Sequence, residues 1–396
     1  MAPVADVAII GGGPAGGITA LALARRGLAV VLLDRARFPR EKLCGDFVHP
    51  LGVDALRRLD LLAEIAPHGQ SLAGMLIVSP QGREVFARFP GGPGLSVSRA
   101  VLDDVILRAA ARAGADVRAP LAAQHIARQR RWQIRTEAGM VEARFLVGAD
   151  GLRSRVAGAV GRRRPPRADW FAVGMYIRGL PRHPGFGEMH LAAGSYCGVS
   201  SFPDGRANVT MVLPRAWLRP GLARRRSDPL PLATFLAHFP RLHPRLGAAS
   251  ARGPLRATGP LFAHQGPVAG DGVLLVGDAA ATTDPLTGLG VSFAVTGGLA
   301  AADAIAQAFA RRDLSAPALA VYARWHRDRL GGLRAILHLA SWLPRTRLIE
   351  PLARAWQRDP ALAARFLGVL ADAAPAREVL NPHYIARVLR SCISSR

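Results

Sequence analysis

Val4-Ala5-Asp6-Val7-Ala8-Ile9-Ile10-Gly11-Gly12-Gly13-Pro14-Ala15-Gly16-Gly17 is the stretch whose reading decides the fold. An apolar, β-branched run that breaks into glycines reads as a buried parallel strand turning straight into a helix. A small-residue helical segment continues to Arg26-Gly27, and a second strand, Ala29-Val30-Val31-Leu32-Leu33, ends at Asp34-Arg35. The glycines serve different ends. Gly11 permits the tight turn, Gly13 admits a pyrophosphate to the backbone, and Gly16 lets helix and strand pack closely. Pro14 and Ala15 start the helix, whose free N–H groups and positive dipole end face the phosphates. Asp34 has the spacing of a carboxylate that holds a ribose hydroxyl. The stretch predicts a bound dinucleotide without saying which one.

The rest of the chain bounds the answer. Its 396 residues are enough for about two or three domains. Half the residues are hydrophobic and 20% are charged, a globular composition. The 52 basic residues outnumber 28 acidic ones, for a net charge of +24, and Lys42 is the only lysine. This fits a compositional bias toward Arg with charge spread over solvated surface. It also fits attraction to anionic membrane surfaces or acidic carrier proteins. The clusters Arg162-Arg163-Arg164 and Arg224-Arg225-Arg226 lack any recognition module around them, so nucleic acid is not an expected partner. Cys44, Cys197 and Cys392 show no paired spacing, which argues against disulfides and structural metal and suits a cytoplasmic location. No signal-like segment precedes Val4, and no uncharged apolar run of about 18 residues suggests a membrane span. Peripheral docking stays open through Leu330–Leu352, where Leu333, Ile336, Leu337, Leu339, Trp342 and Leu343 lie between Arg flanks.

Further along, Leu51 to Ile65 has helical spacing, and Leu72 to Phe89 reads as two strands around Pro80-Gln81-Gly82. Ser98-Arg99 caps a helix with Val101, Leu102, Val105, Ile106 and Ala109 on one face. Trp170–Ile177, Phe186–Leu191, Tyr196–Phe202 and Asn208–Leu213 are β-rich and separated by turn residues, which predicts an antiparallel second sheet. From Ala316 onward the chain reads as helical.

Two more strands end in glycine and aspartate. Gly148-Ala149-Asp150-Gly151 follows one, with Ser154 at cap spacing. Gly277-Asp278-Ala279-Ala280 follows the other and leads to Asp284-Pro285-Leu286-Thr287-Gly288-Leu289-Gly290. Strand ends are where α/β folds place ligands. Asp278 suits a sugar-like hydroxyl, and the Pro285–Gly290 loop offers bare backbone and a helix dipole to a flat ring.

These three motifs, in this order, resemble the flavoprotein superfamily of aromatic hydroxylases (p-hydroxybenzoate hydroxylase-like) and geranylgeranyl reductases, over roughly the first 310 residues. The resemblance implies FAD. Gly11, Gly13, Pro14, Ala15 and Gly16 would face the pyrophosphate, Asp34 and Arg35 the adenosine end, and Asp278 the ribityl chain. Asp150 and Gly277 belong to the same cofactor set. Pro285, Gly288, Leu289 and Gly290 would line the ring, with Arg99, Cys44 and Gly45 close by. It implies an α/β fold: a glutathione-reductase-type FAD-binding domain (1–75, 96–165, 260–312), a β-sheet substrate domain (76–95, 166–259) and a helical C-terminal region (313–396). Only one dinucleotide fingerprint occurs, so NAD(P)H or another electron donor would act transiently. The loop Pro39-Arg40-Glu41-Lys42-Leu43-Cys44-Gly45 and the segment Tyr196-Cys197-Gly198-Val199-Ser200-Ser201-Phe202-Pro203 with Asn208 are similar to the reductase branch.

That branch carries a tryptophan near Tyr196 that this chain lacks, and the Trp-x-Trp-x-Ile-Pro signature of flavin halogenases is absent too. The expectation therefore tilts to hydroxylation of an apolar, lipidic, isoprenoid or polyketide-like substrate through a flavin C4a-hydroperoxide. The alternatives are saturation of a prenyl C=C bond and a non-catalytic, membrane-docked flavin carrier. Cys44 and His49 are the candidate proton-handling residues, and Tyr196 and Phe202 the candidate substrate contacts.

Overall fold

The computed structural model describes residues 4–393 except 163–169, 182, 193, 219–231, 248, 262–265, 343–345, 347 and 372; for 332–342 it describes the helix but not the side chains. The arginine cluster 224–226, most of 162–164 and the side chains of Leu333, Ile336, Leu337, Leu339, Trp342 and Leu343 thus lie outside the described residues.

The first sheet is built on the opening strand. Ala5–Ile10 pairs in parallel with Val30–Leu33 on one side and Gly139–Gly148 on the other. Asp116–Arg118 and Val273–Leu275 extend the sheet in parallel. The register puts Ile10 opposite both Leu33 and Gly148, and Gly148 opposite Leu275. Four strands therefore finish level, and the residues after them share one carboxyl edge. These strands are buried on both faces, which is why they read as unbroken apolar runs rather than alternating ones.

Helices Pro14–Ala24, Arg99–Arg112 and Gly290–Ala310 pack together against this sheet. Small residues set their spacing: a Cβ at Gly17 would lie 2.5 Å from Ile106 Cγ2, and one at Gly298 would lie 2.7 Å from the Ala15 carbonyl oxygen. Gly290–Ala310 is long and apolar enough to cross a membrane, with mean hydropathy 1.3, although the sequence reading counts no such run because Asp303 interrupts it. Its most apolar window is 56% buried inside the protein, as in the core helix of a folded domain.

The second sheet runs Ser250–Thr258, Trp170–Arg178, Arg206–Pro214, Ser195–Ser201, Phe186–Ala192, Gly74–Val78, Glu84–Arg88. The four strands expected to be antiparallel are so, and Gly74–Val78 joins them in parallel with Phe186–Ala192. More than a hundred residues, most of them in the first domain, separate these two strands, so no hairpin dictates their relative direction. Phe47–Val48, Gly94–Ser96 and Gln70–Leu72 form a small third sheet.

The expected helix from Leu51 to Ile65 is two helices, Pro50–Arg58 and Leu62–Ile65. The break falls at Asp60, which adopts a left-handed φ of 61° that an α-helix cannot contain. The C-terminal helices do not stand apart. Ile349–Arg358 and Pro360–Leu370 pack Ala353, Trp356, Phe366 and Leu367 against Leu72, Val85, Ala87 and Phe89.

Candidate active site

At the shared carboxyl edge the glycine turn is tightly defined. Gly11 has a φ of 110°, and a Cβ there would fall 2.3 Å from the Ala149 carbonyl oxygen. A Cβ on Gly16 would lie 1.9 Å from the Gly11 carbonyl oxygen, so no other residue fits. Gly13 is different: a Cβ there would meet only guanidinium nitrogens, Arg99 Nη2 at 3.5 Å and Arg40 Nη2 at 3.8 Å. Helix Pro14–Ala24 starts at Gly13 with no side-chain cap and no acid in its first turn. An uncapped helix N-terminus flanked by two guanidiniums is a site for a diphosphate.

Asp34 lies beside it, its Oδ2 accepting from the Gly12 N–H (2.7 Å) and its Oδ1 from the Ala36 N–H (2.8 Å). This orients the carboxylate while leaving lone pairs for a ribose. Arg35 is exposed at the rim. Asp150 is engaged with its own loop and the helix that follows. It accepts from Ser154 Oγ (2.5 Å), Arg155 N (2.6 Å) and Val156 N (3.3 Å), capping the helix Arg155–Ala159.

Asp278 is half-buried in a 3-10 turn that begins at Gly277, whose φ is 55°. Lys42 is open to the same groove. Desolvation by the groove walls and the Arg99 guanidinium lower its pKa, while Asp278 pulls it the other way. The loop Pro285–Thr287 ends at Gly288 (φ 66°), where a Cβ would lie 2.9 Å from Phe47 Cδ1. Leu289 is buried, and Gly290 opens helix Gly290–Ala310 at an exposed position.

The groove's acids and bases are chained. Arg99 is 5% exposed and donates Nε and Nη2 to the two oxygens of Asp103, both at 2.8 Å. Arg40 Nη2 lies 3.3 Å from Asp103 and 3.9 Å from Asp34. Burial alone would lower the Arg99 pKa, but the Asp103 carboxylate outweighs it and holds the guanidinium charged. Burial likewise raises the Cys44 pKa against the pull of Arg99, so Cys44 is a thiol at neutral pH. Its Sγ is a partner of Arg99, whereas the adjacent Gly45 borders the second feature of the site.

That feature is an apolar cavity of about 130 Å3 between the second sheet, the Pro285–Gly288 loop and the C-terminal helices. Met75, Ile77, Met189, Leu191, Trp356 and Leu367 are among its walls, and Tyr196 contributes from the strand Ser195–Ser201. Phe202 does not reach it. The chain has left the cavity by that residue, and its ring packs 5.9 Å from that of Tyr176.

His49, 1% exposed, borders the cavity and bonds Nε2 to the Thr287 carbonyl at 2.6 Å, so that nitrogen carries the proton. Burial lowers its pKa to about 4, leaving a neutral ring that ties two loops together rather than an acid. Asp46, Ser200, Asn208 and Thr210, which sequence reasoning did not place in the site, hold the Cys44–Gly45 peptide. Ser200 and Asn208 fall in the segment similar to the reductase branch, but nothing local shows what they bind, because the Cys44–Asp46 loop lies more than a hundred residues away.

Fold and groove together define a dinucleotide-binding flavoprotein, and comparison with known proteins agrees. Residues 4–191 match the FAD binding domain family. Menaquinone reductase of Mycolicibacterium smegmatis is 30% identical, covering 75% of this chain and 75% of its own. Digeranylgeranylglycerophospholipid reductase 2 of Methanopyrus kandleri is 29% identical over 82% of both. A flavoprotein/dehydrogenase of Cytophaga hutchinsonii shares the fold, with a TM-score of 0.81 at 19% identity over 93% of both chains. The chain belongs to this FAD-binding family and is an FAD-dependent oxidoreductase of the group that includes the geranylgeranyl reductases.

Proposed function

We propose that the protein saturates a carbon–carbon double bond in the isoprenoid portion of an apolar lipid or quinone. The observation that carries this reading is how the cavity's polar side chains are committed. Tyr196 Oη donates to Asp284 (2.6 Å), Ser200 Oγ to the Gly45 carbonyl (2.6 Å), and Thr210 Oγ1 to the Cys44 carbonyl (3.1 Å). Thr287 Oγ1 donates to the Asp284 carbonyl (2.8 Å), and Trp356 Nε1 to Tyr384 Oη (3.3 Å). Glu188, which also borders the cavity, is clamped by Arg245 Nη1 and Nη2 (2.6 and 2.9 Å) and by His190 (2.8 Å). His49 Nδ1 has no partner, but it is itself buried. Such a wall favours hydrocarbon by shape, with its hydroxyl protons already given to protein acceptors. The volume is of the order that encloses a benzene-sized group, enough for about one isoprene unit.

The residues present fit FAD: the open cradle at Gly13, the paired guanidiniums, and Asp34 with a free side. Bound FAD supplies two-electron chemistry, and saturating a C=C bond takes a hydride at one carbon and a proton at the other. This chain's part is to exclude water with the C-terminal helices, hold the hydrocarbon, and keep a protonated thiol at Cys44 by the boundary. The reductase names of two relatives support the same reading. Hydroxylation is the second reading, favoured by the missing tryptophan beside Tyr196.

One experiment separates them. Holoprotein reduced with dithionite is incubated without oxygen with a geranylgeranyl-bearing lipid, and in parallel under 18O2 with lipidic phenols. A product heavier by two hydrogens in the first arm is expected. Labelled oxygen in a product, with no anaerobic turnover, would sink the reductase reading.

A further inference from the structure

Asp46 is 1% exposed and holds a left-handed backbone φ of 54°. Its Oδ2 accepts from Tyr176 Oη (2.5 Å) and Asn208 Nδ2 (2.6 Å), and its Oδ1 from the Arg99 N–H (3.3 Å). Asn208 Nδ2 also donates to the Cys44 carbonyl (2.7 Å), and Thr210 Oγ1 bonds both that carbonyl (3.1 Å) and Asn208 Oδ1 (2.7 Å). Ser200 Oγ completes the set on the Gly45 carbonyl (2.6 Å). The second sheet thus grips three consecutive residues of a loop whose Cys44 meets Arg99 in the dinucleotide groove and whose Gly45 borders the cavity.

We propose that Asp46 is the positioning residue through which the second sheet holds the Cys44–Gly45 peptide between groove and cavity, and that protonation of its carboxylate loosens this hold. The ionised group suits its surroundings because all three neighbours donate. A proton on Oδ2 would turn the Tyr176 hydroxyl from donor to acceptor or displace the bond from Asn208, and one on Oδ1 would face the Arg99 N–H. The groups facing the carboxylate are Tyr176 and Asn208 from the second sheet, Arg99 from its helix, and Cys44 on the same loop. Arg206 lies over the Tyr176 ring at 5.3 Å, and Glu41 acts on the Tyr176 hydroxyl. Burial raises the Asp46 pKa to about 6, while Tyr176, Asn208 and Arg99 restrain the rise. The group therefore titrates close to neutrality.

The test uses the FAD-loaded protein and needs no substrate. Visible absorbance and flavin fluorescence are recorded from about pH 5 to about pH 8. The wild type is expected to show a one-proton change with a midpoint at about 6. Asp46→Asn should abolish that change. Tyr176→Phe, which removes a bond to the ionised form, should move the midpoint up by about one pH unit. A flat wild-type profile, an Asp46→Asn protein that keeps the transition, or a midpoint that falls in Tyr176→Phe would each overturn the proposal. If Asp46→Asn does not retain FAD, Asn208→Ala replaces it, and an unmoved midpoint there also counts against the proposal. A purely structural role would change FAD affinity in these variants without moving any midpoint.

Discussion

Asp46→Asn also makes a thermodynamic prediction that the structure fixes in sign and size. The carboxyl rises from 3.8 to about 6 on folding, chiefly because it is buried. That shift of roughly two units corresponds to about 3 kcal/mol of destabilisation once the group is ionised in both states. The folded pKa lies above the unfolded one. The group's contribution is therefore most favourable below pH 3.8 and is lost as pH rises through about 6. Roughly 1 kcal/mol of that loss falls between about pH 5 and pH 7.5. An asparagine carries no such dependence. In urea unfolding of the FAD-free protein, followed by tryptophan fluorescence, Asp46→Asn should gain on the wild type by that amount between the two pH values. Both proteins share every other titrating group, so the difference isolates this one. A stability difference that does not change with pH, or that changes in favour of the wild type as pH rises, would refute the reasoning.

Three further outcomes follow from the geometry. Gly16→Ala places a methyl 1.9 Å from the Gly11 carbonyl oxygen and should abolish FAD retention; a yellow, FAD-saturated variant would contradict the tight-turn reading. Asp150→Ala should cost about 1 kcal/mol of stability through the lost cap, with the FAD dissociation constant altered less than about threefold. A tenfold loss of FAD affinity on equilibrium titration would show that Asp150 serves the cofactor instead. Arg245→Ala strands Glu188, whose pKa is lowered to about 2 because the bonds to Arg245 and His190 overcome its burial. It should cost roughly 3–5 kcal/mol. The native pair's stabilisation is present above the ordinary glutamate pKa and lost as pH falls toward about 2, so in an acid titration the variant's deficit should shrink.

The opening strand–glycine–helix stretch by itself determined the first sheet and the class of cofactor. Its signals are local: an apolar strand, glycines that no other residue can replace, and an acid one strand later all lie within about thirty residues. Asp278 and the Pro285–Gly290 loop were legible for the same reason. Other features had no local signature. Asp150 reads identically whether it faces a ribose or caps a helix, and only the bonds from Ser154, Arg155 and Val156 distinguish the two. His49 reads as an acid–base candidate until burial and the Thr287 carbonyl leave it neutral and committed. Phe202 follows a strand that does face the cavity, yet lies beyond it, which the sequence pattern alone does not reveal. The cavity joins strands, a loop and C-terminal helices separated by up to about three hundred residues, and how its hydroxyl donors are committed depends on where each side chain finds its partner. Tertiary structure alone decided that, because hydrogen-bond satisfaction belongs to pairs of residues brought together by folding rather than to any stretch of chain.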